Sequence, residues 1–115
     1  MSINFATIHT RDQEKSIEFY RDVLKMHIAG DMRPGKPIVF MESEEAGLQI
    51  ELIQDPDHAY SGSGISLGYK VADVDAARNE MKEAGLDPSD IISPAPGVRF
   101  FFIKDPDGVE IEVIE

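Results

Sequence analysis

The chain has 115 residues, the usual length of one domain with its own hydrophobic core. Its residues are 42% apolar and 29% charged, a composition typical of globular proteins and not of disordered ones. The net charge is −11 and the basic residues form no cluster, which argues against nucleic-acid binding. No apolar run approaches the ~20 residues of a membrane helix, and no secretory signal is visible. Because cysteine is absent as well, we expect a cytoplasmic protein.

The first half of the chain is predicted to fold as a strand, a helix and three further strands. Residues 5–10 alternate between apolar and polar types as a strand does, and Asp12 is a suitable N-cap for a helix. Strand-like runs follow near 27–32, 37–43 and 48–54. In the helix, apolar residues recur at helical spacing at Ile17, Tyr20, Val23 and Leu24.

The second half repeats this order of elements. Residues 65–71 form a predicted strand, and Asp73 caps a helix that ends at Gly85. Three more strands are predicted near 89–93, 98–104 and 109–114. The last two are joined by DPDG, a sequence typical of a type I turn in a tight antiparallel hairpin.

An internal repeat relates the two halves at an offset of 61 residues. LQIELI at 48–53 lines up with VEIEVI at 109–114, and EEAG at 44–47 lines up with DPDG at 105–108. Asp12 lines up with Asp73 at the same offset. We interpret the chain as one α+β domain of two βαβββ modules, residues 1–58 and 62–115.

Each module has a glutamate at the centre of its last strand, Glu51 in the first and Glu112 in the second. Side chains alternate between the two faces of a strand, so Ile50 and Leu52 pack under the helix while Glu51 points the other way. The same alternation places Glu112 and Glu110 on the helix-free face. Acids on such a face are either simply solvated or part of a ligand site, and periodicity leaves both interpretations open.

Four segments carry a resemblance to a known family: SIEFYRDVLKM at 16–26, QIELI at 49–53, VADVDAA at 71–77 and RFFFIKDPDGVEIEVIE at 99–115. Together they resemble the vicinal oxygen chelate superfamily of glyoxalase I, bleomycin-resistance proteins and extradiol dioxygenases, over essentially the whole chain. The resemblance implies a curved mixed sheet around a cleft, with the helices on the outer face and both central glutamates in the cleft. It also implies a homodimer, since related proteins pair their modules between chains.

The resemblance further identifies the positions at which metal-dependent glyoxalase I members bind a metal through two histidines and two glutamates. Glu51 and Glu112 match the glutamates, whereas Phe5 and Ser66 stand at the histidine positions. Phenylalanine has no lone pair, and serine is a poor ligand for a transition metal. His9 lies roughly 13 Å along its strand from Phe5, too far to replace a ligand there. We therefore expect no metal cofactor; the alternative is Ni, Zn, Mn or Fe at a relocated site that includes His9.

The predicted ligand-binding residues lie on the faces of the sheet that the helices leave open. Alternation separates Phe101 and Arg99 from Phe100 and Phe102, and we assign the first pair to the ligand side. Three acids in one pocket would favour a cationic ligand or raise the pKa of a carboxylate. The complete set is Phe5, Thr7, His9, Gln49, Glu51, Ser66, Arg99, Phe101, Glu110 and Glu112.

Three functions are compatible with these residues. We favour a metal-free protein that binds a small organic molecule, as the bleomycin-binding members of the family do. The first alternative is a metal-dependent lyase, isomerase or dioxygenase, in which the metal acts as a Lewis acid. The second is a metal-free isomerase with Glu51 or Glu112 as the base. The fold alone does not decide among them.

Overall fold

The computed structural model describes all 115 residues, which form two compact units, Met1–Ser61 and Gly62–Glu115. Each unit contains one four-stranded mixed sheet and one main helix, in the order strand, helix and three strands. The predicted α+β class and the two βαβββ modules are therefore confirmed. Neither helix is long and apolar enough to cross a membrane.

The sheet of the first unit has the strand order β1-β4-β3-β2, in which β1 runs parallel to β4 and the other pairs are antiparallel. The helix α1 spans Gln13–Glu18 and continues as a π-helical turn at Phe19–Val23. Asp12 is its N-cap, and the Asp12 carboxylate accepts a hydrogen bond from the Lys15 N–H. A short 3-10 helix at Pro56–His58 follows the last strand. The strands are β1 (Phe5–Thr10), β2 (His27–Asp31), β3 (Ile38–Glu42) and β4 (Gln49–Gln54).

The core of the first unit lies between the helix and one face of its sheet. The predicted alternation in β4 is confirmed, because Ile50 and Leu52 are buried while Glu51 between them remains half-buried. The helix was predicted as a regular one, but the Leu24 N–H bonds to the Phe19 carbonyl five residues back, which widens the last turn. The buried apolar side chains are Ile8, Ile17, Phe19, Tyr20, Leu24, Met26, Val39, Met41, Ile50 and Leu52.

The second unit repeats the topology, with the strand order β5-β8-β7-β6. Asp73 caps α2 (Val74–Glu83) by accepting a hydrogen bond from the Ala76 N–H, and Gly85 follows the helix with φ +90°, as predicted. The strands are β5 (Ser66–Lys70), β6 (Ile92–Ala95), β7 (Val98–Lys104) and β8 (Glu110–Ile114). The core consists of Val74, Met81, Phe101, Ile103, Val109, Ile111 and Val113.

Two features of the second unit bear on its ligand face. The strand predicted near 89–93 begins only at Ile92, because Ser89 bonds to Phe102 through its backbone (3.0 Å) and its hydroxyl (2.8 Å) as a loop residue. The predicted DPDG turn is confirmed. Asp105 is 5% exposed, and its carboxylate accepts hydrogen bonds from the N–H groups of Asp107 (2.8 Å) and Val109 (2.9 Å).

Candidate ligand-binding faces

The open face of the first unit is the side of its sheet that carries Phe5, Thr7, His9, Phe40, Gln49 and Glu51. The parallel register of β1 and β4 places Phe5 opposite Gln49 and Thr7 opposite Glu51. The Thr7 hydroxyl donates a hydrogen bond to Oε1 of Glu51 at 2.5 Å. One carboxylate oxygen of Glu51 is therefore oriented by its neighbour on β1.

An aromatic pair lies beside this carboxylate. Phe40 on β3 is the cross-strand partner of Glu51. The rings of Phe5 and Phe40 meet edge to face, with centroids 6.1 Å apart and planes at 84°. Phe5 is 51% exposed, so the pair presents apolar surface next to a carboxylate.

A second polar group on this sheet joins three strands. The Gln49 amide donates to Oε2 of Glu42 (2.9 Å), and Nε2 of His27 lies 3.2 Å from Oε1 of the same carboxylate. These contacts, first Gln49 and then His27, hold the pKa of Glu42 below its usual value. Gln49, predicted as a ligand-binding residue, thus also orients the carboxylate of Glu42.

His9 lies at the end of the open face, where β1 meets the segment after β4. Its Nδ1 atom is 2.8 Å from Oδ2 of Asp55, and Nδ1 of His58 is 3.1 Å from Oδ1 of the same residue. The hydrogen bond to His9, followed by that to His58, lowers the pKa of Asp55. The carboxylate is therefore ionised over the whole neutral range.

The open face of the second unit is the side of its sheet that carries Ser66, Gly68, Phe100, Phe102, Lys104, Glu110 and Glu112. On β5, Ser66 lies opposite Glu110, and Gly68 lies opposite Glu112. Glycine has no side chain, so nothing on β5 takes the part that Thr7 plays in the first unit. The cross-strand side chains next to the Glu112 carboxylate are therefore those of β7.

Those neighbours repeat the aromatic arrangement of the first unit. Phe102 is the cross-strand partner of Glu112, as Phe40 is of Glu51. Phe100 and Phe102 again meet edge to face, with centroids 5.6 Å apart and planes at 79°. Each unit therefore places a half-buried phenylalanine directly across from its central glutamate.

A cavity of about 530 Å³ adjoins this face within the second unit. The segment 85–89 forms one wall, and the strands contribute Phe102, Ile103, Lys104 and Glu110. Its volume lies in the range of small-molecule sites, and its lining combines an aromatic ring with both signs of charge. Glu110, predicted as a ligand-binding residue, is part of this lining.

Two predicted ligand-binding residues lie on the wrong side of their strand. Phe101 pairs with Val113 and is fully buried under α2, so the prediction that it lines the ligand face is wrong. Arg99 shares that side, where its guanidinium bonds to the carboxylates of Asp75 (2.9 and 3.2 Å) and Glu115 (3.4 Å). The prediction for Arg99 is wrong for the same reason, because β7 turns its odd-numbered residues towards the helix.

The 61-residue offset of the repeat points to the wrong phenylalanine of β7. An offset of 61 residues from Phe40 leads to Phe101, whereas the structural equivalent is Phe102. The loop between β3 and β4 covers 43–48, but the loop between β7 and β8 covers only 105–109 and is one residue shorter. Counting outward from the DPDG turn, which pairs residue 104 with 110, identifies Phe102 as the partner of Glu112.

The family model of the Glyoxalase/Bleomycin resistance protein/Dioxygenase superfamily matches residues 2–113. The chain belongs to this superfamily. Lactoylglutathione lyase of Haemophilus influenzae is 28% identical over 127 residues, covering 100% of this chain and 93% of that protein. The resemblance found in the sequence is thus confirmed.

Solved structures, one of them of a superfamily member, share the fold. A member from Sphaerobacter thermophilus is 26% identical with a TM-score of 0.79, covering 100% of this chain and 97% of its own. An antibiotic binding protein from Streptomyces sp. CB03234 is 24% identical with a TM-score of 0.80, covering 99% and 94%. The similarity to the antibiotic binding protein shows a shared fold.

The metal-ligand positions that the family resemblance implies have few polar neighbours. Glu51 has the Thr7 hydroxyl as its polar neighbour, and the Phe5 ring packs against Phe40. Ser66 is exposed and lies opposite Glu110. Neither unit brings three histidine, aspartate or glutamate side chains together in an arrangement for a metal ion.

Proposed function

We propose that this superfamily member binds small organic molecules that carry a positive charge on an apolar body. The observation that carries the proposal is the repeated pair of a glutamate and the phenylalanine across from it, Glu51 with Phe40 and Glu112 with Phe102. A carboxylate attracts the cation, while an adjacent ring accepts its apolar surface and adds a cation–π contribution. A protein of the same fold that binds an antibiotic supports this class of function.

We also propose that binding needs no metal. The donors beside Glu51 do not fit a transition-metal site, because Phe5 offers no lone pair and Thr7 already donates its proton to the carboxylate. In the second unit Glu112 lies between Gly68 and Phe102, neither of which has a donor atom on its side chain. The two glutamates are then recognition groups in their own right.

Calorimetric titration with benzyltrimethylammonium in the presence of a chelator tests the proposal. We expect binding to the wild type and a loss of affinity of about 5- to 30-fold in Glu51→Gln or Glu112→Gln, corresponding to ~1–2 kcal/mol for a lost carboxylate–cation attraction at a partly exposed site. The neutral isostere, with carbon in place of the quaternary nitrogen, should bind more weakly. Equal affinity for both probes, or variants that bind like the wild type, would refute the proposal.

A metal-dependent lyase is the second candidate. The 28% identity to a lactoylglutathione lyase favours it, together with the two glutamates at the superfamily's ligand positions. Loading the protein with Ni, Zn, Mn or Fe and assaying lactoylglutathione turnover distinguishes the candidates. Turnover that depends on the metal and on Glu51 would establish the lyase and displace the binding role.

Several expectations from the sequence stay predictions. These are the homodimer, the cytoplasmic location, a relocated metal site that includes His9, and an isomerase with a glutamate base. Sedimentation equilibrium of the purified chain decides the first of them.

A further inference from the structure

His9 differs from the other two histidines in combining a place on the open face with a carboxylate on its Nδ1 atom. It belongs to the open face of the first unit, two residues along β1 from Thr7, and its side chain is 43% exposed. Its cross-strand neighbour Ile53 gives this end of the face an apolar floor. The His9 ring thus lies roughly 7 Å along the strand from Thr7, the cross-strand partner of Glu51.

Asp55 holds this ring in one orientation. Its backbone N–H donates to the Thr10 carbonyl (3.0 Å), which fixes the residue at the end of β4. Its two carboxylate oxygens contact Nδ1 of His9 and Nδ1 of His58. An ionised carboxylate accepts hydrogen bonds and cannot donate them. A neutral His9 therefore carries its proton on Nδ1 and a lone pair on Nε2.

We propose that His9 and Asp55 form a proton-transfer dyad, in which Nε2 of His9 removes a proton from a ligand bound on the open face. The dyad rests on the proposed binding role and adds chemistry to it. His9 is the catalytic residue, and Asp55 is a positioning residue that fixes the tautomer and stabilises the imidazolium. The substrate class is an organic cation with an acidic C–H or O–H group roughly 7 Å, or two strand residues, from its charge.

The proposed step is balanced without a co-reactant. The ligand's C–H or O–H bond breaks, its electron pair stays on the ligand, and the proton forms an N–H bond at Nε2. The imidazolium then returns the proton to another atom of the ligand, which gives an isomer, or to water. The charged groups near the ring are Asp55, His58 across the same carboxylate, and Glu51 further along the face.

The other two histidines provide matched controls. His27 also contacts an acid, but it does so through Nε2, which leaves a different ring nitrogen for other partners. His58 shares Asp55 yet stands in the 3-10 helix with 79% of its side chain exposed. Only His9 combines a carboxylate on Nδ1 with a place on the open face.

The first test needs no ligand. Nitrogen-15 NMR of the three histidines reports the tautomer of each ring, and we expect His9 to be protonated on Nδ1 in its neutral form. Asp55→Asn should reduce this preference while the spectrum of the rest of the chain stays folded. A His9 ring protonated on Nε2 would overturn the proposal.

The second test measures base catalysis with nitrobenzisoxazole, whose ring opens to a coloured phenolate when a base removes its carbon-bound proton. We expect His9→Gln to slow this elimination about 100-fold, as for loss of a positioned general base, and the rate of the wild type to fall at acid pH. His27→Gln should keep the wild-type rate. If His9→Gln were as fast as His27→Gln, the dyad would be refuted. A failure of the binding proposal gives a different result, in which Glu51→Gln binds benzyltrimethylammonium normally while the tautomer and the elimination behave as expected.

Discussion

Phe101 and Phe102 are adjacent on β7, have the same side chain and face opposite sides of the sheet. Phe101 is fully buried in the core of the second unit, and Phe102 lies half-buried across from Glu112. Truncating Phe101 to alanine leaves a cavity in that core, for which a cost of about 3–5 kcal/mol is expected. Such a loss is a large part of the ~5–15 kcal/mol that stabilises a typical domain.

Truncating Phe102 to alanine has a different effect. It removes the edge-to-face contact with Phe100, worth about 0.5–1.5 kcal/mol. It also removes apolar surface of which only a part is buried in the folded protein. We expect a total cost of about 1–2 kcal/mol in stability, together with weaker binding of an organic cation.

Equilibrium unfolding in urea measures both variants in one assay, with the shift in midpoint giving the change in free energy. Phe101→Leu serves as the control, because it keeps most of the buried volume and should be less damaging than Phe101→Ala. Equal destabilisation by the two alanine variants, or a larger effect at Phe102, would refute the assignment of the faces.

Three further predictions concern stability. Asp105→Ala should cost about 2–4 kcal/mol, because it leaves two N–H groups of the hairpin turn without their acceptor, and Asp105→Asn should restore part of the loss in urea unfolding. Asp73→Ala should cost about 1 kcal/mol by removing the cap of α2, and an unchanged midpoint would contradict the capping role. The hydrogen bond from the Arg33 side chain lowers the pKa of Asp31 from 3.8 to about 2. The ionised Asp31 therefore contributes its full stabilisation above pH 3.8, and this contribution disappears as the pH falls towards 2. Unfolding midpoints measured across this range should fall more steeply for the wild type than for Asp31→Asn.

Local sequence patterns were sufficient to predict most of the fold. Residues close in sequence form the caps at Asp12 and Asp73 and the turn at 105–108. These features can therefore be predicted without the rest of the chain. The alternation of β4 likewise placed Glu51 correctly on the helix-free face. Helical spacing does not reveal a single widened turn, so the sequence does not predict the π-helical turn at Phe19–Val23.

The candidate site was less predictable because it depends on pairing between strands. Phe101 and Phe102 differ only in register, and a shift of one residue exchanges core for ligand face. Asp55 and His9 are separated by 46 residues, and only the parallel pairing of β1 with β4 brings them together. The length of the hairpin loop contained the missing information for β7, whereas no local pattern pointed to Asp55.

The measurement that tests the central claim most directly is calorimetric titration of benzyltrimethylammonium into chelator-treated protein, repeated after addition of Zn²⁺ or Ni²⁺. If Glu51 and Glu112 are recognition groups beside Phe40 and Phe102, the affinity is the same with and without metal and falls in Glu51→Gln and Glu112→Gln. Binding that appears only after metal is added, or tight metal binding that is lost in Glu51→Gln, would contradict a metal-free binding role.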